Sequence, residues 1–330
     1  MAAGNHRALK IIGIVVGAIV GIAVVAVLGL NIYMRTAFAP FFDRAESPFD
    51  IPGINTGFVP QDLDHVEADD SWLFSGYMAD HSPSPLYRRA ADGTVAKFYV
   101  SLPDGSAYDG HGSAITTNEQ YAYLACEEGY LVIPMDDLLF AEDGASVQAT
   151  EKVDVDLSPA FMNIEQGQLL LGNFYYPNDY ETPENHHITT PDGTENPAVM
   201  YAFAADPAEP GRFLTVPDNV FSIPGMVQGT CITDDGRIVL SVSYGIAPSH
   251  LLAYNVNLAA PDGTFTTGSG DEVELFCLDS RNLTEDLVGP PMQEGIESHD
   301  GRVYTTDESA SNKYIFGKLC GAGRVYAVQL

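Results

Sequence analysis

Gln228-Gly229-Thr230-Cys231-Ile232, carried through Asp235-Gly236 into Ile238-Val239-Leu240-Ser241, is the stretch that decides the fold, because the chain writes the same phrase again elsewhere. A polar residue and Gly open a short apolar run, a tight turn follows, and a second apolar run ends in small polar residues. Glu294-Gly295-Ile296 passes through Asp300-Gly301 to Val303-Tyr304-Thr305 in the same way, and His111-Gly112-Ser113-Ala114-Ile115 leads to Tyr121-Ala122-Tyr123-Leu124-Ala125 with Asn118 in the turn. Two looser copies complete the set. Gln61-Asp62-Leu63-Asp64 leads to Trp72-Leu73-Phe74-Ser75-Gly76-Tyr77, and Pro159-Ala160-Phe161-Met162-Asn163 leads through Gly167 to Leu169-Leu170-Leu171-Gly172-Asn173. Self-similarity on this scale marks an array of like supersecondary units.

The units begin at residues 61, 111, 159, 228 and 294, spacings of 50, 48, 69 and 66 residues. Asp-Gly pairs such as Asp92-Gly93, Asp104-Gly105 and Asp192-Gly193 recur between runs rich in Val, Ile, Leu, Tyr and Phe. Asp-Gly supplies the positive backbone angles of tight hairpins, so the body is all-β and antiparallel. Units of this length fit four-stranded blades, and the expectation is a β-propeller of five blades, with a sixth admissible in the long stretches at 176–220 or 246–290. A β-sandwich also offers short strands and turns, but it does not require one polar-Gly-apolar phrase five times.

The N-terminus is different in kind. His6, Arg7 and Lys10 precede twenty residues, Ile11 to Leu30, without a charged side chain. As a helix they rise about 30 Å, the thickness of a bilayer's hydrocarbon core. Basic residues on the leading side favour a cytoplasmic N-terminus and an extracytoplasmic body. The expected organisation is a cytoplasmic segment 1–10, a transmembrane anchor 11–33, a Pro- and Phe-containing stalk 34–56 and a propeller 57–330. Ala37-Phe38-Ala39 resembles a signal-peptidase site, which makes a cleaved leader the rival reading. Gly13, Gly17 and Gly21 form a small-residue stripe of the kind that lets two membrane helices dimerise.

All 45 acidic residues lie from Asp43 onward, where 12 Lys and Arg remain, giving the body a net charge of −33. Nucleic acid is excluded as a partner, since phosphate binding depends on Lys and Arg. Cys126, Cys231, Cys277 and Cys320 form no Cys-x-x-Cys pair; Cys277 with Cys320 is the more plausible disulfide in an external domain.

In a propeller the innermost strands line a channel, and equivalent unit starts face one another around a cup at its end. That places Gln61, His111, Gln228 and Glu294 in one ring, with Asn163 nearby and the second-strand ends adding Ser75, Tyr77, Asn173, Tyr176, Ser241, Tyr244 and Glu308. A mixed polar ring suits a small polar, peptide or glycan ligand, with Gln61, His111, Asn173, Tyr176, Gln228, Tyr244, Glu294 and Lys313 as its contacts. Were Glu294 and Glu308 both to reach the cup, their repulsion would raise one pKa and prepare an acid/base pair, with His111 as a third group. Lys313 could instead neutralise one of them. Asp179, Glu181, His186 and His187 are competent ligands for a divalent cation such as calcium or zinc, although their spacing fits no zinc-helix or EF-hand motif.

The segment from Val227-Gln228-Gly229 through Asp235-Gly236, Ser241, Tyr244-Gly245 and Ser249 resembles a blade of the plant-type glutaminyl cyclases, and the whole chain resembles extracytoplasmic five- and six-bladed propellers of bacteria. The resemblance implies five blades and, as an activity, cyclisation of N-terminal glutamine. It covers about a tenth of the chain and rests on turn and strand residues; Asp62 stands where the pattern asks for Gly after Gln61, and no catalytic residue carries over. The expected function is therefore ligand binding in the cup, with a propeller enzyme, cyclase-like or lyase, and a protein-interaction scaffold as the alternatives.

Overall fold

The computed structural model describes the backbone of residues 2–330 and the side chains of residues 10–314 and 316–330. Its body is a five-bladed propeller. Blade 1 comprises Phe58–Val66, Ser71–Met78, Pro85–Arg89 and Val95–Ser101; blade 2, Ile115–Thr117, Tyr121–Cys126, Gly129–Pro134 and Glu151–Asp154. Blade 3 comprises Phe161–Glu165, Gln168–Gly172, Ala198–Ala204 and Asn219–Ile223; blade 4, Val227–Ile232, Ile238–Val242, Ser249–Tyr254 and Leu283–Gly289. Blade 5 comprises Gln293–His299, Arg302–Asp307, Arg324–Val328 and, outermost, Ala45–Asp50 from the other end of the chain. Within each blade the strands pair antiparallel, and the five first-named strands stand side by side in a closed ring.

Five hydrophobic clusters hold the ring, one at each blade-to-blade junction. Leu73 and Phe98 meet Leu124 and Leu131 between blades 1 and 2, and Tyr123 and Val132 meet Leu169 and Tyr201 between blades 2 and 3. Leu170 and Met200 meet Leu240, Val239 and Leu251 meet Val303 and Tyr326, and Val325 meets Leu63, Trp72 and Phe74 across the remaining three. Alternate residues of each strand face opposite neighbours, so the strands are apolar on both sides. Each fully buried large side chain contributes about 1.5–3 kcal/mol.

The two longer spacings hold no sixth blade. Gly263–Thr266 and Glu272–Cys277, inserted in blade 4, form a hairpin whose second strand pairs parallel with Asn219–Ile223 of blade 3. Ser146–Gln148, inserted in blade 2, likewise pairs parallel with Val95–Ser101 of blade 1. Insertions thus reach back and widen the preceding blade.

The segment 34–56, expected as a stalk, contains part of the domain. Ala45–Asp50 pairs with Arg324–Val328, joining the chain's two ends in one sheet. Phe41 is fully buried and packs edge-on against Tyr326, while Phe38 and Ile51 are also buried. The aromatic residues that look like linker punctuation are core side chains of the closing blade. Before them runs a helix, Ala2–Ala37, whose stretch Lys10–Ala37 is apolar, exposed and long enough to cross a membrane. The disulfide expectation also fails: all four cysteines are free, Cys277 being buried in the hairpin added to blade 3 while Cys320 belongs to blade 5.

Candidate functional site

The opening phrase of each unit has a defined geometry. In blades 1, 4 and 5 the first and second strands slip register at the polar residue: Pro60 pairs with Gly76 and Asp62 with Ser75, Val227 with Val242 and Gly229 with Ser241, Gln293 with Asp307 and Ile296 with Thr305. Gln61, Gln228 and the Glu294-Gly295 pair are the residues skipped. A bulge leaves its extra residue unpaired and re-aims the side chain. The Gly that follows allows adjacent inner strands to close up. A Cβ on Gly229 would lie 2.8 Å from the Ile296 nitrogen, and one on Gly295 would lie 2.7 Å from Asp62 Cα.

At this end of the ring lies a cavity of about 960 Å³. Of the residues expected there, Gln61, His111, Asn173, Gln228, Tyr244, Glu308 and Lys313 line its wall. Tyr77, Tyr108, Phe174, Tyr180 and Tyr314 add aromatic surface. Five expected members stand elsewhere: Glu294, Ser75 and Ser241 are buried off the wall, and Tyr176 and Asn163 have other places. Tyr176 packs behind Tyr244, ring centroids 4.0 Å apart, and Asn163 sits deeper in the channel, donating to the Thr230 carbonyl (3.0 Å) and Glu297 Oε2 (2.7 Å).

The polar groups on the wall are wired together. The Gln61 amide oxygen meets His111 Nε2 at 2.6 Å, and its nitrogen donates to Glu308 Oε2 at 3.3 Å. Glu308 shares a hydrogen bond with Glu294, which is buried behind it and does not itself reach the cavity. Burial, then the charges of Glu308 and Asp307, push the Glu294 carboxyl far above its ordinary value; burial also raises Glu308, while Gln61 and Lys313 oppose the rise. A hydrogen bond between two carboxyls needs a proton on one of them, and burial of both favours that shared-proton arrangement. His111 stacks on Tyr77 (centroids 4.4 Å) and is open to the cup, with protein around it and Lys313 nearby; both desolvation and that charge hold it below its usual pKa. Lys313 donates to the Tyr77 hydroxyl at 2.5 Å.

The loop after Phe174 overhangs this cup, since Tyr180, Glu181, Thr182 and Pro183 line it. Its expected metal ligands do not converge. Asp179 accepts from the Tyr244 hydroxyl (2.8 Å) and Glu181 from the Asn178 backbone (2.6 Å). His186 is buried against Asn173 (2.9 Å), while His187 contacts Thr182 and Glu195. Each has a different partner, so the four do not form one ligand set in this structure.

Below the cup the channel holds carboxylates that the unit pattern alone did not single out. Asp62 Oδ2 accepts from the Ile115 nitrogen (2.8 Å), Asp64 from Thr117 Oγ1 (2.5 Å) and Glu165 from the Ile232 nitrogen (2.9 Å). Thr116 Oγ1 accepts from the Ile164 nitrogen (2.9 Å). Inner strands of neighbouring blades are thus laced by side-chain acceptors across blades 1 to 4. Burial raises Asp62, Asp64 and Glu297, and holds Glu165 and Asp307 each up to about 7. The signal was present as the alternation Asp62-Leu63-Asp64, which puts two acids on one strand face, whereas the bulge at Glu294-Gly295 resets the alternation before Glu297.

No family model matches the chain, and no curated protein matches it in sequence. Among solved structures it is similar to bacterial propeller proteins. These include an aldose sugar dehydrogenase of Streptomyces coelicolor in its PQQ-bound form (11% identity, 86% of this chain and 97% of that one, TM-score 0.43). The glutaminyl cyclase of Myxococcus xanthus aligns at 12% identity over 86% of this chain and 95% of its own, TM-score 0.42. A gluconolactonase of Xanthomonas campestris aligns at 10% identity over 87% and 95%, TM-score 0.41.

Proposed function

We propose that this chain is a membrane-tethered, extracytoplasmic propeller that binds a small polar ligand, of peptide or glycan type, in the cup. The supporting observation is the convergence of bulged residues from separate blades, Gln61 and Gln228, with His111 and Glu308 on one aromatic-walled cavity. Aromatic faces accept sugar rings and peptide side chains, while the Glu308 carboxylate and the Gln61 amide fix polar orientation. The tether supports the same reading. Asn31 Nδ2 donates to the Leu319 carbonyl at 2.8 Å, so the apolar helix leaves the body beside the segment that carries Lys313 and Tyr314 into the cup. Exposed Ile246 lies with Met34 and Phe42 at that junction, an apolar rim suited to the membrane interface. The Gly13, Gly17, Gly21 stripe would pair two such tethers.

A second reading, a propeller enzyme, is favoured by the proton-sharing Glu294 and Glu308 and their link through Gln61 to His111. A carboxylic acid beside a carboxylate can give and take a proton in one turnover.

The test uses the detergent-solubilised full chain with two probe sets, gluco-oligosaccharides and tripeptides beginning with Gln, followed by saturation-transfer NMR and by mass spectrometry for loss of ammonia. Glu308→Gln removes a charge-assisted contact and is expected to weaken binding about 10- to 100-fold. Turnover of the peptide, abolished by Glu294→Gln, would select the enzyme. Binding that survives both Glu308→Gln and His111→Ala unchanged would remove the cup from the mechanism.

A further inference from the structure

The opposite mouth of the channel carries a different constellation. The inner strand of blade 1 reaches the cup at Gln61 and ends four residues later near His65, about 13 Å further along. The inner strand of blade 5 likewise runs from Glu294 to His299. Asp70 lies in the turn between the first two strands of blade 1. We propose that His65, Asp70 and His299 form a binding site for a divalent transition-metal ion of the zinc class, which clamps blade 1 to blade 5 where the ring closes.

The geometry is that of a ligand set. One donor atom from each of the three residues lies within 4.8 Å of the other two. His65 Nε2 and Asp70 Oδ1 are hydrogen-bonded at 2.9 Å; two ligands of one tetrahedral ion at roughly 2.0–2.2 Å stand about 3.3–3.6 Å apart, so an ion replaces that proton with a small opening of the pair. The His65 and His299 imidazoles face each other with centroids 3.7 Å apart. Rings so close bring a nitrogen of each within reach of one ion.

His65 supplies the independent observation. Its side chain is 4% exposed, and its Nδ1 has no hydrogen-bond partner. An unpartnered buried ring nitrogen is costly. A metal-bound histidine characteristically donates its second nitrogen to a carboxylate, which fixes the tautomer. Glu67 Oε1 waits 3.4 Å from that Nδ1, and Asp300 Oδ2 stands 3.5 Å from His299 Nε2 in the same relation. Binding through His65 Nε2 leaves Nδ1–H to close on Glu67, so the orphan nitrogen and the outer carboxylate are explained together.

The donor chemistry sets the class of ion. Two imidazoles and one carboxylate suit Zn²⁺, Co²⁺, Ni²⁺ or Cu²⁺, whereas Ca²⁺ and Mg²⁺ take oxygen. The Asp70 and Glu67 side chains are 74% and 87% exposed, so the site opens to solvent and an ion can enter.

Trp72, the chain's one tryptophan, lies 5.1 Å from His65 and 5.7 Å from His299 between ring centroids, and so reports on the site directly. The full chain, made without a histidine tag and stripped with chelator, would be titrated with Co²⁺ in detergent. The expected result is saturable quenching of Trp72 fluorescence at one equivalent, reversed by Zn²⁺, and a rise in Tm of about 5 °C at a hundredfold excess of Zn²⁺ over Kd. His299→Gln and Asp70→Asn should each weaken Co²⁺ binding at least tenfold, while His187→Gln leaves it unchanged. Asp70 is exposed, so its variant keeps the test open if a histidine variant does not fold. Quenching that does not saturate, that ignores Zn²⁺, or that persists at wild-type affinity in both His299→Gln and Asp70→Asn overturns the proposal.

Discussion

Glu165→Gln is expected to make this protein more stable at pH 8 and to leave its stability at pH 4.5 nearly unchanged. Glu165 lies on the inner strand of blade 3, accepts from the Ile232 nitrogen at 2.9 Å, and is held up to about 7 by burial, with the charge of Asp234 adding to the rise. Asp64 and Glu297 stand near enough to feel its charge. The folded pKa lies above the unfolded value of 4.5, so the native state keeps a proton that the unfolded chain releases. Stability from this group is complete below pH 4.5, falls as the pH climbs to about 7, and changes no further above it. A displacement of about 2.5 units corresponds to roughly 3 kcal/mol. Asp307, Asp62 and Glu294 are raised in the same direction, so the whole channel favours acid. Gln keeps an acceptor for Ile232 and carries no charge, which removes the Glu165 share. Thermal unfolding of the full chain, followed by near-ultraviolet circular dichroism from pH 5 to pH 8, would measure it. The wild type should lose Tm across that range, and the variant's advantage should grow to about 5 °C at pH 8. If the gap between variant and wild type stays constant with pH, Glu165 is not a buried acid and the account of the channel is wrong.

Two further outcomes follow from packing. Gly295→Ala places a methyl group against Asp62 in a ring that has no room to widen, and should cost more than about 3 kcal/mol in urea unfolding; a loss under about 1 kcal/mol would show the inner strands to be further apart. Phe41→Ala should cost about 3–5 kcal/mol, because Phe41 is core of the closing blade, whereas a stalk residue would cost almost nothing.

The blade count was legible because hairpins demand local chemistry: Asp-Gly turns and apolar runs fix each unit without reference to its neighbours. The cup was legible for the same reason, since bulge position is a property of one strand pair, and Gln61, Gln228 and Glu294 announce it. What failed depended on distant partners. Ala45–Asp50 has the composition of a linker and becomes a strand only through Arg324–Val328, at the far end of the chain. The 178–187 loop collects carboxylates and imidazoles in sequence, but Tyr244, Asn173 and Glu195 draw them apart. His65 and His299 meet only because the ring closes, and neither belongs to a local motif.

The polar residue and the glycine of the repeated phrase answer to different constraints. In blades 1 and 4 the bulged side chain, Gln61 or Gln228, reaches the cup, whereas in blade 5 the bulged Glu294 is buried behind Glu308, so this position answers to the cup and not to the strand pairing. The glycine faces the backbone of the next inner strand, so its replacement strains the ring whatever the ligand. Blade 1 is the instructive departure, with Asp62 in place of Gly. There the side chain has turned into the junction itself, its carboxylate capping the Ile115 nitrogen of blade 2 while its own backbone fills the space left by Gly295 of blade 5. Of the two units that depart from the pattern, the one in blade 1 thus joins both its neighbours by a buried acid. Changes in cup specificity should accordingly be reached through Gln61, Gln228 and Glu308, at little cost to the fold, whereas Asp62, Gly229 and Gly295 tie the fold to this sequence.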